Sequence, residues 1–143
     1  MKLFWLSAFF VIFLDRFTKY LILQSDFTEI KIFSFLNLVK VWNKGIVFGL
    51  FYKNNIVIIT ISFLILLILF FTYRWAKKGN KFLKISFGLL FGGGISNLID
   101  RVIYKGVLDF IDLHIGKYHW PVFNVADVFI TLSVFLLIYK YIR

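Results

Sequence analysis

The chain has 143 residues, of which 61% are hydrophobic and 20 are Phe, well above the roughly 45–50% apolar content of soluble domains, and it reads as one domain over residues 1–143 with lipid as its main solvent. Its net charge of +10 comes from basic residues grouped between apolar runs, not from an aromatic-interleaved basic surface, so topology accounts for it and no nucleic-acid partner is implied. The absence of Cys excludes disulfides, thiolate metal sites and a cysteine nucleophile.

Four stretches, Leu3–Leu23, Ile56–Tyr73, Phe82–Ile103 and Val122–Ile142, have the length that a hydrocarbon core of ~30 Å requires. The expected fold is therefore an all-α membrane protein of four transmembrane helices. The first stretch follows Lys2 as a signal peptide would, but Asp15 and Arg16 interrupt it and no small-residue cleavage site follows, so it is expected to stay attached. After it, Glu29–Trp42 (EIKIFSFLNLVKVW) is rich in Ile, Val and Phe with partial alternation, which predicts a small β-sheet in the first outer loop. Gly45 and Gly49 punctuate what comes next.

Arg74, Lys77, Lys78, Lys81 and Lys84 lie between the second and third spans without an acid among them, and Lys2, Lys140 and Arg143 mark the termini. The positive-inside rule puts that connection and both termini in the cytoplasm. The third span carries Gly88, Gly92, Gly93 and Gly94 with Ser96, a small-residue face suited to close helix packing. GGGISN is not a nucleophile elbow, so Ser96 is not expected to attack substrate. In the second outer loop Asp109 sits inside the apolar run VLDFI, which should fold back onto the bundle. His114 and His119, the only histidines, are five apart in that loop, make a poor zinc pair and read as interfacial polar residues.

With this topology Asp15 and Asp100 come late in outward-running spans, while Asn124 and Asp127 come early in an inward-running one. All four reach the outer third of the membrane. A carboxylate at bilayer depth costs at least ~2.5 kcal/mol, so such acids face the bundle interior and have partners. Asp15 and Lys19 are spaced i, i+4, the favoured order for a helical ion pair. Asn97, Asp100 and Arg101 fall close together, and Arg101 is placed to neutralise Asp100 or to meet an anionic headgroup. Asn124 and Asp127 are i, i+3 with no base nearby on their helix, which marks Asp127 as functional.

Two carboxyl groups held close do not both ionise readily, and one then keeps a proton while the other acts as base on a water. Asp109 with Asp127 is the natural pair, and Asp100 with Asp127 is the alternative. A proton- or ion-coupled transporter is the reading from another class, though its relay should be distributed across the membrane, and a noncatalytic assembly subunit leaves the paired acids and amides unexplained.

DRFTK (Asp15–Lys19), WNKGIVFG (Trp42–Gly49), GGGISNLIDR (Gly92–Arg101), VLDF (Val107–Phe110) and FNVAD (Phe123–Asp127), in this order along nearly the whole chain, resemble lipoprotein signal peptidase, or signal peptidase II. Val47 and Ser96 depart from the family, which usually has a small residue at each. The resemblance implies a four-span aspartic endopeptidase of the bacterial cytoplasmic (inner) membrane, with its site toward the outer face. It implies diacylglyceryl-prolipoproteins as substrates, cut before the lipidated cysteine, membrane lipid as a partner, globomycin as an inhibitor, and neither metal nor cofactor. It maps the catalytic pair onto Asp109 and Asp127, and supporting positions onto Asp15, Lys19, Asn43, Gly45, Asn97, Asp100, Arg101 and Asn124.

Overall fold

The computed structural model describes residues 1–44 and 55–142; Gly45, Val47 and Gly49 lie outside the described residues. Four helices, α1 (Lys2–Gln24), α2 (Asn55–Lys78), α3 (Lys81–Tyr104) and α4 (Val125–Ile142), are joined by strands β1 (Glu29–Phe33), β2 (Leu36–Asn43), β3 (Val107–Ile115) and β4 (Tyr118–His119). By length and apolar composition Ile59–Lys78, Lys81–Tyr104 and Val125–Ile142 are able to cross a membrane. Large apolar side chains point outward all along the bundle, among them Phe9, Phe13, Phe63 and Phe135. That exterior suits lipid and not water.

Helix α3 is the spine of the bundle, packed against α1, α2 and α4. Adjacent glycines make this possible on two sides at once. A Cβ on Gly92 would lie 2.5 Å from the Ala8 carbonyl of α1, and one on Gly93 would lie 2.8 Å from the Ala126 carbonyl of α4. Backbone-to-backbone approach of this kind replaces the hydrophobic drive that lipid does not supply.

Helix α2 runs five residues beyond the expected Tyr73, because nothing in RWAKK breaks a helix before Gly79 and the basic residues suit its C-terminal dipole. The basic connection to α3 therefore shrinks to Gly79 and Asn80, and Asn80 caps α3 by accepting the Leu83 N–H at 3.0 Å. Helix α4 starts at Val125, three residues later than expected. Pro121 and the bridge from Phe123 to Ile111 hold the preceding segment extended.

The expected sheet is present but larger, and it is not confined to the first loop. Its order is β1-β2-β3-β4, all antiparallel, so the second loop supplies half of it. Gly116, at φ 58°, starts the two-residue turn between β3 and β4. Ile22, Leu108 and Phe110 form the buried cluster that seats the sheet on the bundle, with Leu38, Trp42 and Val125 around it.

Candidate active site

Asp127 occupies the first turn of α4, and its position follows from how that helix begins. Asn124 caps the helix: its side-chain oxygen accepts the Asp127 N–H at 3.0 Å, and Asp127 Oδ2 accepts the Asn124 N–H at 3.2 Å. This is a reciprocal capping box, with Asp in the place of the usual Glu. Asn124 is thus a cap residue and does not lie on a face of the helix, as the expected start at Val122 implied. Asp127 Oδ1 remains free to accept from the Asn97 amide of α3 at 2.8 Å.

Asp109 arrives from the sheet. Antiparallel pairing sets Asp109 opposite Val41 and Val107 opposite Asn43, which lets the Asn43 amide donate to Asp109 Oδ2 at 3.0 Å. The other oxygen, Oδ1, accepts from the Asn124 amide at 2.7 Å. That same amide nitrogen reaches Asn97 Oδ1 at 3.2 Å. Asn97 and Asn124 thereby link the two acids in one network. Among the described residues neither acid forms an ion pair with a base.

Asp109 is 3% exposed, and burial pushes its carboxyl up to about 6, with the charge of Asp127 adding to the shift and hydrogen bonds from Asn43 and Asn124 opposing it. A carboxyl poised near neutrality beside a second carboxyl is the arrangement that activates water by taking and returning one proton.

A second layer lies behind this pair. Asp15, Lys19 and Asp100 are each 0% exposed. Lys19 pairs with Asp15 at 2.7 Å, as its spacing predicts, and also with Asp100 at 2.8 Å. Arg16 closes the other side of Asp100. Arg101, expected to meet either Asp100 or an anionic headgroup, forms no direct ion pair with Asp100 among the described residues and donates to the Asn97 carbonyl of its own helix at 3.3 Å. Nor is Asp100 a partner for Asp127, because its oxygens are taken by Arg16, Lys19 and the Leu108 N–H.

Arg16 and Ser96 were not among the expected site residues. Ser96 donates its hydroxyl to Asp15 Oδ2 at 2.6 Å, so the departure at that position supplies a hydrogen bond as well as bulk. The only advance signal for Arg16 was its place beside Asp15. His114 and His119 pair across β3 and β4 with rings stacked at 4.8 Å, and His119 meets Asp112 at 2.8 Å.

A family model described as signal peptidase (SPase) II matches residues 7–143. The lipoprotein signal peptidase of Pelagibacter ubique is 46% identical over 129 residues, 87% of this chain and 78% of that protein. That of Aquifex aeolicus is 40% identical over 135 residues, 92% of this chain and 80% of its own. Among solved structures, a bacterial membrane enzyme determined by the in meso method at 1.9 Å is 33% identical with a TM-score of 0.79, covering 96% of this chain and 91% of that one.

Proposed function

This chain belongs to the signal peptidase II family and removes signal peptides from prolipoproteins; from that premise we propose that it does so as an aspartic endopeptidase whose catalytic pair is Asp109 and Asp127. The observation that carries this reading is the linkage of the two carboxyls, the buried one of Asp109 and the half-buried one of Asp127, in one network through Asn97 and Asn124. One carboxylate takes a proton from a water held between them, and the other, protonated, polarises the scissile carbonyl. The shared proton belongs to the pair. Asn43, Asn97 and Asn124 orient the acids, and Arg101 faces substrate carbonyl or lipid phosphate. Gly45 remains a supporting position by resemblance alone.

The whole chain acts as one membrane domain. Helix α1 is the fourth span: its charges Asp15 and Lys19 are buried inside the bundle, while Phe9, Phe10, Phe13 and Phe17 face outward. Termini in the cytoplasm put the sheet and the acids at the outer face of the bacterial inner membrane, in agreement with the basic residues near Lys2, Lys78 and Lys140. The substrate is the diacylglyceryl form of the prolipoprotein, cut before the lipidated cysteine. Its acyl chains enter from the lipid, each buried methylene contributing ~0.8 kcal/mol. Globomycin acts at the same pair of acids. A proton-coupled transporter gains no support, since the acids collect at one end of the bundle.

The experiment is cleavage of a diacylglyceryl-modified prolipoprotein by purified protein in micelles, read as a gel shift. Wild type cuts, and Asp109→Asn and Asp127→Asn, each shown to be folded, do not. Retained cleavage by either variant removes that residue from the pair.

A further inference from the structure

Lys19 is fully buried, and all three of its ammonium hydrogens have acceptors: Asp15 Oδ2 at 2.7 Å, Asp100 Oδ2 at 2.8 Å and Asn97 Oδ1 at 3.1 Å. The two carboxylates reach further. Asp15 Oδ1 accepts the backbone N–H of Ala126 at 2.9 Å, and Asp100 Oδ2 accepts that of Leu108 at 3.3 Å. Ala126 immediately precedes Asp127, and Leu108 immediately precedes Asp109. One ammonium thus holds two acids, and each acid holds the main chain one residue ahead of one member of the pair. Peptide planarity leaves only two soft dihedrals per residue between each anchored amide and the aspartate after it.

The third contact sets a direction. An ammonium only donates, so Asn97 must turn its amide oxygen to Lys19, which leaves its NH2 for Asp127 Oδ1 at 2.8 Å. A flipped amide would aim oxygen at a carboxylate. Stability is a poor account of these charges, because apolar replacement of a buried ion cluster is often neutral or stabilising.

We infer that Lys19 is a positioning residue of the peptidase: through Asp15 and Asp100 it places the chain at Ala126 and Leu108, and through Asn97 it fixes which end of that amide meets Asp127. The inference rests on the reading of Asp109 and Asp127 as the catalytic pair, and goes beyond it by naming what sets their relative placement.

The test is the charge-balanced combination of Asp15→Asn with Lys19→Met, which leaves Arg16 facing Asp100. It is assayed on diacylglyceryl-modified prolipoprotein in micelles, beside Asp109→Asn and Asp127→Asn. The double variant is expected to unfold near the wild-type temperature and to keep KM within about twofold. Its kcat should fall on the order of 100-fold, the cost of misplacing reacting groups by about 1 Å. A folded double variant with wild-type kcat, or with its loss confined to KM, overturns the role of Lys19. If that result comes with inactive Asp109→Asn and Asp127→Asn, the catalytic pair stands and only Lys19 falls; if those single variants stay active, the pair itself falls. Should the double variant not fold, amide exchange in the wild type decides. Leu108 and Ala126 should be protected like mid-helix amides, and exchange at the rate of exposed loops overturns the proposal.

Discussion

Asn124 holds Asp109 from its amide nitrogen at 2.7 Å while its amide oxygen caps the N–H of Asp127 at 3.0 Å. One short side chain therefore carries a helix cap and a bond to the opposite acid. Asn124→Ala removes both, and we expect a stability loss of about 1–2 kcal/mol from the cap together with a kcat reduction on the order of 10- to 100-fold. Thermal unfolding and cleavage assays on one preparation separate the two. Full activity in the variant counts against the network.

The buried carboxyl of Asp109 makes stability depend on pH. Its folded value of about 6 lies above the ~3.9 of an unfolded Asp, so the folded state keeps the proton longer. The stability this contributes is complete below about pH 4 and is lost as pH rises through about 6. Asp109→Asn, which does not ionise, should therefore lack the fall in stability that the wild type shows between about pH 4 and about 6. Denaturation at a series of pH values checks this, and equal pH dependence in the two proteins would contradict it.

Activity should follow the same proton in the opposite experiment. A pair that works with one shared proton loses activity as the second proton leaves, so kcat/KM is expected to decline on the alkaline side with a midpoint at about 6 or higher. A rate still climbing at roughly pH 9 counts against a shared proton.

The glycines of α3 should differ in tolerance. Gly92→Ala drives a Cβ to 2.5 Å from the Ala8 backbone carbonyl, whereas Gly94→Ala meets only the tip of the Leu69 side chain at 2.9 Å. We expect about 1–3 kcal/mol of destabilisation for the first and less than half of that for the second. Thermal unfolding in micelles ranks them, and the reverse order would mean that α1 and α3 are not in backbone contact there.

The β3–β4 turn offers a test without crowding. Gly116 has φ 58°, and a Cβ at this position would meet nothing within 4 Å, so conformation alone limits substitution. Gly116→Asn should be tolerated, and Gly116→Val should cost about 1–2 kcal/mol, read from unfolding. Equal loss in both would point to a tertiary contact and away from backbone strain.

What the sequence made legible was the local part of this design. Asp15 with Lys19, and Asn124 with Asp127, are three or four residues apart, and their interactions appear as spacing. The first-loop strands showed through their β-branched and aromatic residues. The partners of Asp100 did not show, because Arg16 and Lys19 both lie on a distant helix, Arg16 84 residues away, and no spacing rule reaches them. Strand β3 was hidden differently: Val107–Phe110 is buried on both faces, which erases the alternation that marks a strand, and only Gly116 and Lys117 hinted at the hairpin. The start of α4 was misplaced because apolar Val122 and Phe123 extend the run, although Asn-x-x-Asp marks a cap.

The bond from Asp15 to the Ala126 amide spans 111 positions of sequence. Chains are synthesised from the N-terminus at about 5–20 residues per second, so the first helix waits for the last before this bond forms. Until α4 is inserted, Asp127 has no cap and Asp109 lacks the amide of Asn124. A nascent or truncated chain without α4 consequently lacks the network that links the two acids, which is completed only when synthesis is nearly finished.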